Sequence, residues 1–249
     1  MRLPRRDSAV GKLVRLPLRL IPKSARMPIL TGPLRGRRWV AGSGTHGCWL
    51  GTYEVDKARV MQRLLRPGDV FFDIGAHAGY FTLLASSLVG PSGVVVAFEP
   101  LPQNLIALRR QLQVNHLTNV RVIAAAVSDA AGTARFDLAA GTQFGHLSAS
   151  GALEVRTVRL DDLTSSGALP MPRCLKIDVE GAEVAVLRGA ERMMRASRPT
   201  IFLSTHGRPN QHACRALLEE WDYRVQPIGA GTLETASELL ASPVEARAQ

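Results

Sequence analysis

The stretch from Val70 to Thr82, V-F-F-D-I-G-A-H-A-G-Y-F-T, constrains the fold more than any other. An apolar run ends in the carboxylate of Asp73, a turn marked by Gly75 and Gly79 follows, and an apolar helical pattern begins at Tyr80. That order reads as strand, loop and helix. The glycines let backbone approach a ligand closely, and the first turn of the helix offers N–H groups that no helical carbonyl takes up. A nucleotide-like molecule suits such a loop. Its pattern, D-x-G-x-x-x-G, departs from the G-x-G-x-x-G of dinucleotide folds, and a carboxylate at the strand end disfavours a pyrophosphate. It suits a cationic or hydroxyl-bearing ligand instead, and S-adenosylmethionine (SAM), with its sulfonium, amino group and ribose, meets that requirement.

The remainder of the chain continues an α/β alternation. A second strand, Val94–Phe98, runs into Glu99-Pro100, at the spacing from Gly75 where a βαβ unit places an acid that accepts ribose hydroxyls. A helix is expected over Pro102–Val114, with Asn104 in its first turn, and a third strand over Val120–Ala125. The turn-rich loop Val127–Gly132, with Ser128 and Asp129, is placed against the adenine. Residues 133–160 alternate in places and read as an inserted hairpin or edge strands; Gly141–Gly151 between them is a substrate loop or a plain connection. Cys174–Glu183 is the second informative stretch: a short buried strand, a polar loop, and a helix through Val184 and Leu187 to Met194. Pro199–Leu203 supplies another strand ending at Ser204-Thr205-His206-Gly207, followed by a helix over Asn210–Trp221 and strands near Tyr223–Ile228.

Upstream, short β-like runs in residues 28–55 suggest a small hairpin whose Trp39, Trp49 and Tyr53 either anchor it against the core or stack on a substrate, and Val55–Leu65 has helical spacing up to Pro67-Gly68. The expected division is a basic arm over 1–27, a cap of hairpin and helix over 28–66, the α/β domain over 67–240, and a frayed tail over 241–249.

Charge separates the arm from the body. The chain carries a net charge of +10, yet residues 1–40 hold eleven basic side chains against Asp7 alone, and the rest holds twenty of each sign. A neutral body gives no support to a basic groove for nucleic acid, although the arm could touch phosphates. The arm reads either as a solvated extension broken by prolines or as an attachment to an anionic membrane surface, where each Lys or Arg contributes roughly 1 kcal/mol. Cys48, Cys174 and Cys214 are odd in number and widely spaced, which argues against a disulfide framework or a C-x-x-C metal site and fits a reducing cytoplasm. No apolar run reaches bilayer-spanning length. The expectation is a cytoplasmic protein, with the arm able to sit at the inner membrane face.

Asp73, Glu99, Asp178 and His206 each fall at the carboxyl end of an expected strand, where open parallel sheets bind ligands. With the first two holding the cosubstrate, the last two face the acceptor. Methyl transfer from a sulfonium is an in-line displacement governed by positioning, and an alcohol acceptor gains roughly 10²–10⁴-fold from a base. His206 is the candidate base because imidazole titrates near neutrality; the alternative is a histidine bonded locally in its loop. Asp178 could orient His206 or the acceptor hydroxyl, or serve only as a helix cap. A resident metal is not expected, but Asp178 could take a divalent cation. Lys176 pairs with a carboxylate or borders the cosubstrate, and His77 reads as a backbone-shaping or lid contact.

Taken together, D-I-G-A-H-A-G-Y-F-T at 73–82, Phe98-Glu99-Pro100 with Asn104, and L-K-I-D-V-E-G-A-E at 175–183 followed by Leu187-Arg188-Gly189-Ala190 resemble the FkbM family of SAM-dependent methyltransferases. The resemblance covers roughly residues 50–210. It implies a Rossmann-like, seven-stranded, mostly parallel sheet with helices on both faces and a small N-terminal extension. SAM is the implied donor, held by Asp73, Gly75, Ala76, Gly79, Thr82, Glu99, Pro100, Asn104, Ser128, Asp129 and Lys176. The implied reaction is O-methylation of a sugar, glycolipid, polysaccharide or polyketide-like metabolite. Many family members carry a glutamate near the end of the strand after the K-I-D-V-E-G-A-E run; here Ser204 stands there, which shifts weight to His206. Three other readings compete. An NAD-dependent oxidoreductase is disfavoured by the missing third glycine, a nucleic-acid methyltransferase would use the basic arm, and a non-catalytic module would bind SAM alone.

Overall fold

The computed structural model describes residues 17–138, 145–147, 151 and 153–244. The arm through residue 16, most of the 141–151 loop and residues 245–249 of the tail lie outside the described residues. In chain order the first strands are β1 (Arg26–Pro28) and β2 (Arg38–Val40), an antiparallel hairpin with Met27 opposite Trp39. β1 therefore begins inside the stretch expected as arm. A 3-10 turn over Ala41–Ser43 and helices α1 (His46–Leu50) and α2 (Val55–Leu64) complete the cap.

The α/β body follows. It comprises β3 (Val70–Ile74), α3 (Tyr80–Val89), β4 (Val94–Phe98), α4 (Pro102–Val114), β5 (Val120–Ile123), β6 (Ala126–Val127), β7 (Gly132–Leu138), β8 (Gly145–Leu147), β9 (Leu153–Val158), α5 (Leu160–Ser165), β10 (Cys174–Ile177), α6 (Glu183–Arg188), α7 (Glu191–Ser197), β11 (Thr200–Ser204), α8 (Arg208–Glu220), β12 (Tyr223–Pro227) and β13 (Glu238–Pro243). The main sheet has seven strands in the order β12-β13-β11-β10-β3-β4-β5. Pairing is parallel from β11 through β5 and antiparallel at β13 and β12.

Alternation along the central strands builds a core on each face. Phe72, Val96, Leu175 and Ile201 turn to one side, where Leu187 of α6, Met194 of α7 and Leu218 of α8 cover them. Phe71, Val95, Cys174 and Phe202 turn to the other, against Met61 of α2 and Leu83 and Leu84 of α3. Each such side chain contributes roughly 1.5–3 kcal/mol on burial. Residues that buried must be apolar on both faces, which is why these strands read as continuous apolar runs.

The inserted strands do not extend the main sheet. They form a second, four-stranded sheet in the order β6-β9-β7-β8, with Phe136 and Val155 packed on Leu101 and Ala126.

Two expectations need correction. The helix expected to run unbroken to Met194 stops before Gly189, a position that must be glycine because a Cβ there would lie 2.0 Å from the Ser128 carbonyl oxygen. Chain crosses at that point, and the next helix, α7, starts on the carboxylate of Asp161, which accepts from the backbone N–H groups of Arg192 at 3.2 Å and Met193 at 2.9 Å. The tail expected to fray from Ala241 instead supplies β13 through Pro243, inserted between β11 and β12 with Ala241 wholly buried. Among the described residues no helix is long and apolar enough to cross a membrane.

Candidate active site

Strands β10, β3 and β4 are neighbours, and their carboxyl ends open into a cavity of about 510 Å³. Asp73 does not reach it. The side chain is wholly buried on the face of β3 covered by α3, where Thr82 Oγ1 donates to its Oδ2 at 2.6 Å. Lys176, its register partner on β10, places Nζ 3.2 Å from Oδ1. The same ammonium donates to the Gly75 carbonyl at 3.0 Å, so this pair fixes the loop that follows β3. Burial opposes the charge on Lys176, but Asp73 and Asp178 outweigh it and push the ammonium's pKa above its ordinary value.

Both glycines admit a close packing contact. Gly75 has φ +77, and a Cβ there would meet the Asp178 carbonyl oxygen at 1.9 Å; at Gly79, with φ +91, it would meet Leu108 Cδ1 at 2.4 Å. Gly75 and Ala76 still line the cavity, whereas Gly79 and Thr82 do not. His77 has φ +51 and lines the wall; its backbone N–H donates to Glu99 Oε2 at 2.8 Å, the backbone-shaping part expected of it.

Glu99 is 4% exposed and lines the cavity with Pro100, Leu101 and Asn104. Its Oε1 accepts from the Leu101 N–H at 2.9 Å and from Asn104 Nδ2 at 3.2 Å. Burial raises the Glu99 carboxyl above the usual range, against the pull of those donors. Beside it the wall is apolar, made by Ala125, Ala126, Val127 and Phe136. Ser128 and Asp129, expected against the adenine, fall just outside this wall; their side chains bond each other at 3.2 Å, and the Ser128 backbone packs on Gly189.

At the other end stand Asp178 and Glu180, with His206 beside them. His206 Nδ1 lies 2.8 Å from Oε1 of the wholly buried Glu183, and Nε2 lies 3.3 Å from Glu180 Oε2 and 3.9 Å from Asp178 Oδ1. The hydrogen bond to Glu183, opposed by burial and reinforced by the charges of Glu180, Glu183 and Asp178, raises the imidazole to about 9. At neutral pH the ring holds its proton, so a base role for His206 requires that proton to leave first. Asp178 shows the converse: burial pushes it up, but Lys176, Lys57 and His206 outweigh burial and lower it. Burial raises Glu180.

Sequence reasoning missed the depth of the cap's contribution. Trp39, Gly42–Thr45, Cys48 and Tyr53 form one wall of the cavity, and Tyr53 and Trp39 both meet Tyr80 edge to face. Trp39 and Tyr53 pack on Tyr80 and at the same time face the cavity; nothing in the spacing shows that the hairpin folds over the strand ends. Lys57 of α2, 1% exposed, was missed too. It pairs with Glu54 and Glu238, each at 2.6 Å, and donates to Ser204 Oγ at 2.9 Å. Ser204, the position where a glutamate was expected by resemblance, itself donates to Glu238 Oε2 at 3.1 Å.

The family described as methyltransferase FkbM domain matches residues 73–225. The 31-O-demethyl-FK506 methyltransferase FkbM of Streptomyces tacrolimicus is 35% identical over 161 residues, covering 51% of this chain and 61% of that protein. The hexuronic acid methyltransferase AglP of Haloferax volcanii is 30% identical over 140 residues, covering 55% of this chain and 56% of that protein. The chain thus spans less than two thirds of the length of these curated relatives. Among solved structures, the methyltransferase FkbM of Methylobacillus flagellatus KT superposes with a TM-score of 0.51 at 16% identity, over 80% of this chain and 55% of that one, a likeness of fold.

Proposed function

The chain belongs to the FkbM methyltransferase family, and on that premise we propose that it methylates a hydroxyl of a sugar, glycolipid, polysaccharide or polyketide-like acceptor with SAM as donor. The observation that carries this reading is Glu99, a buried carboxylate at a strand end that lines the cavity beside an apolar wall. SAM, when bound, supplies an electrophilic methyl group on a sulfonium. Glu99 would accept from its ribose hydroxyls, Leu101 and Ala125–Val127 would flank its base, and the backbone of Gly75–Ala78 would border the rest. Asp73 and Thr82 act one step back, and Lys176, which lines the cavity, holds that loop in place through the Gly75 carbonyl. The two curated relatives are named for methylation of 31-O-demethyl-FK506 and of hexuronic acid, which supports a small-molecule or sugar acceptor here.

At the opposite end Asp178 stays ionised and can accept the acceptor's O–H, which orients that oxygen toward the donor. Glu180, raised by burial, is the better proton acceptor of the two. The protonated His206 holds both carboxylates in register. Calorimetric titration of SAM into the full chain and into Glu99→Ala tests the donor assignment. A loss of at least tenfold in affinity is expected, since a hydrogen bond to a charged group contributes about 1.5–3 kcal/mol. Equal affinity in the two proteins removes the assignment.

A further inference from the structure

The geometry points to a divalent-cation site made by Oδ1 of Asp178, Oε2 of Glu180 and Nε2 of His206, at the acceptor end of the cavity. The ligating atoms these three residues offer lie within 4.8 Å of one another. Nε2 is 3.3 Å from Glu180 Oε2 and 3.9 Å from Asp178 Oδ1. Bonds of about 2.0–2.2 Å set adjacent donors of a four- or six-coordinate ion about 3–3.6 Å apart, so a small inward movement closes the cage on an ion. Among the described residues no other trio of His, Cys, Asp or Glu is so placed.

Two of the three ligands are aimed by a group outside the trio. Glu183 holds Nδ1 of His206 through Oε1, while its Oε2 accepts from Asn210. That bond keeps one ring proton on Nδ1 and turns Nε2 toward the two carboxylates, the arrangement by which an outer carboxylate sets the tautomer of a ligating histidine; an ion bound there displaces the Nε2 proton to solvent. Lys176 Nζ lies 3.6 Å from Oδ2 of Asp178, leaving Oδ1 on the imidazole side. Glu180 reaches the cluster from a left-handed backbone, φ +53, that a non-glycine residue seldom adopts. Three carboxylates converge on one imidazole, and the nearest ammonium is already shared with Asp73. Even with the ring protonated, the carboxylates outnumber the cations that face them.

Two carboxylate oxygens and one imidazole, half-exposed, leave coordination positions open and suit an ion of the Mn²⁺ or Mg²⁺ class. An acceptor hydroxyl filling an open position would have its developing alkoxide stabilised. The oxygen then bonds the methyl carbon as the carbon–sulfur bond breaks, its electron pair stays on sulfur, and, with Glu180 engaged by the ion, the hydroxyl proton leaves to water instead of to that carboxylate. That use rests on the methyl-transfer reading; binding of the ion does not.

The test is titration of MnCl₂ into the full chain after removal of adventitious metal, following loss of the free-ion electron paramagnetic resonance signal. One ion per chain is expected, with affinity at least tenfold weaker in Asp178→Asn, Glu180→Gln and His206→Gln and unchanged in the surface control Glu219→Gln. Glu183→Gln, which alters only the outer carboxylate, should weaken binding about 10–100-fold. Circular dichroism melts of each variant separate lost binding from lost folding. No binding up to millimolar Mn²⁺, or equal affinity across the folded variants, overturns the site. Calorimetric SAM binding is measured apart: a chain that binds SAM but no Mn²⁺ loses this site alone, and one that binds Mn²⁺ but no SAM keeps it while losing the donor assignment.

Discussion

Glu99 and Asp178 follow strands on either side of β3, and burial pushes both carboxyls up, yet they end with opposite shifts. Glu99 is held by neutral donors, the N–H groups of His77 and Leu101 and the amide of Asn104, and its pKa rises because burial wins. Asp178 faces Lys176, with Lys57 and His206 behind, and its pKa falls because the cations win. One end of the cavity is thus built from backbone dipoles and the other from balanced charge. The first should respond only weakly to the loss of a distant charge, Lys176 being the least of the influences on Glu99; the second should respond to every cation added or removed.

Removing the ammonium that ties the ends together breaks the comparison most forcefully. Lys176→Met leaves Asp73 buried without its cation and strips Asp178 of its main partner. Breaking a buried pair on one side costs roughly 3–5 kcal/mol. A urea midpoint lowered accordingly is expected, and a loss within about 1 kcal/mol would mean that Thr82 alone satisfies Asp73. Gly75→Ala comes next. Its φ of +77 and the 1.9 Å approach of a Cβ to the Asp178 carbonyl force either the β3 loop or the β10 loop to move. A cost of about 2–3 kcal/mol follows from left-handed strain plus the displaced backbone. Because the contact joins the two ends, SAM and Mn²⁺ affinities should fall together. Gly189→Ala should instead disturb only the Ser128–Asp129 loop, where its Cβ would meet Ser128 at 2.0 Å.

What could be read from the chain follows the same division. The strand ends, with Asp73, Glu99 and Asp178, were legible because apolar runs closing in a carboxylate occur locally in sequence. The fold was legible for the same reason, since strands buried on both faces cannot hide their composition. The reach of Asp73 was not: only the register of β3 against β10 shows that Lys176 consumes it. Strand β13 was missed because Leu239-Leu240-Ala241 is too short to declare itself without the neighbours it pairs with. The packing contact of Gly75 was not legible, as a loop glycine looks the same whether it admits a ligand, another loop or both. The titration of His206 was hidden as well, because Glu180 and Glu183 approach it only through the turn before α6.

That histidine supplies the finest test of the contrast. In the folded, metal-free chain its pKa is raised to about 9 from an ordinary value of 6.5. A group whose folded pKa lies above its unfolded one stabilises the fold fully below about pH 6.5, and that contribution is lost as pH rises through about 9. The side chain is 36% exposed, so screening makes its effect on stability smaller than that of Lys176→Met or Gly75→Ala. The ring resonance is the better readout. An NMR titration should place the His206 midpoint near 9 in the wild type and lower in Glu183→Gln, whereas Glu99→Gln should leave it in place. A wild-type midpoint near 6.5 would mean that the carboxylates do not act together on the ring, and the acceptor end would then be ordered by neutral contacts as the Glu99 end is.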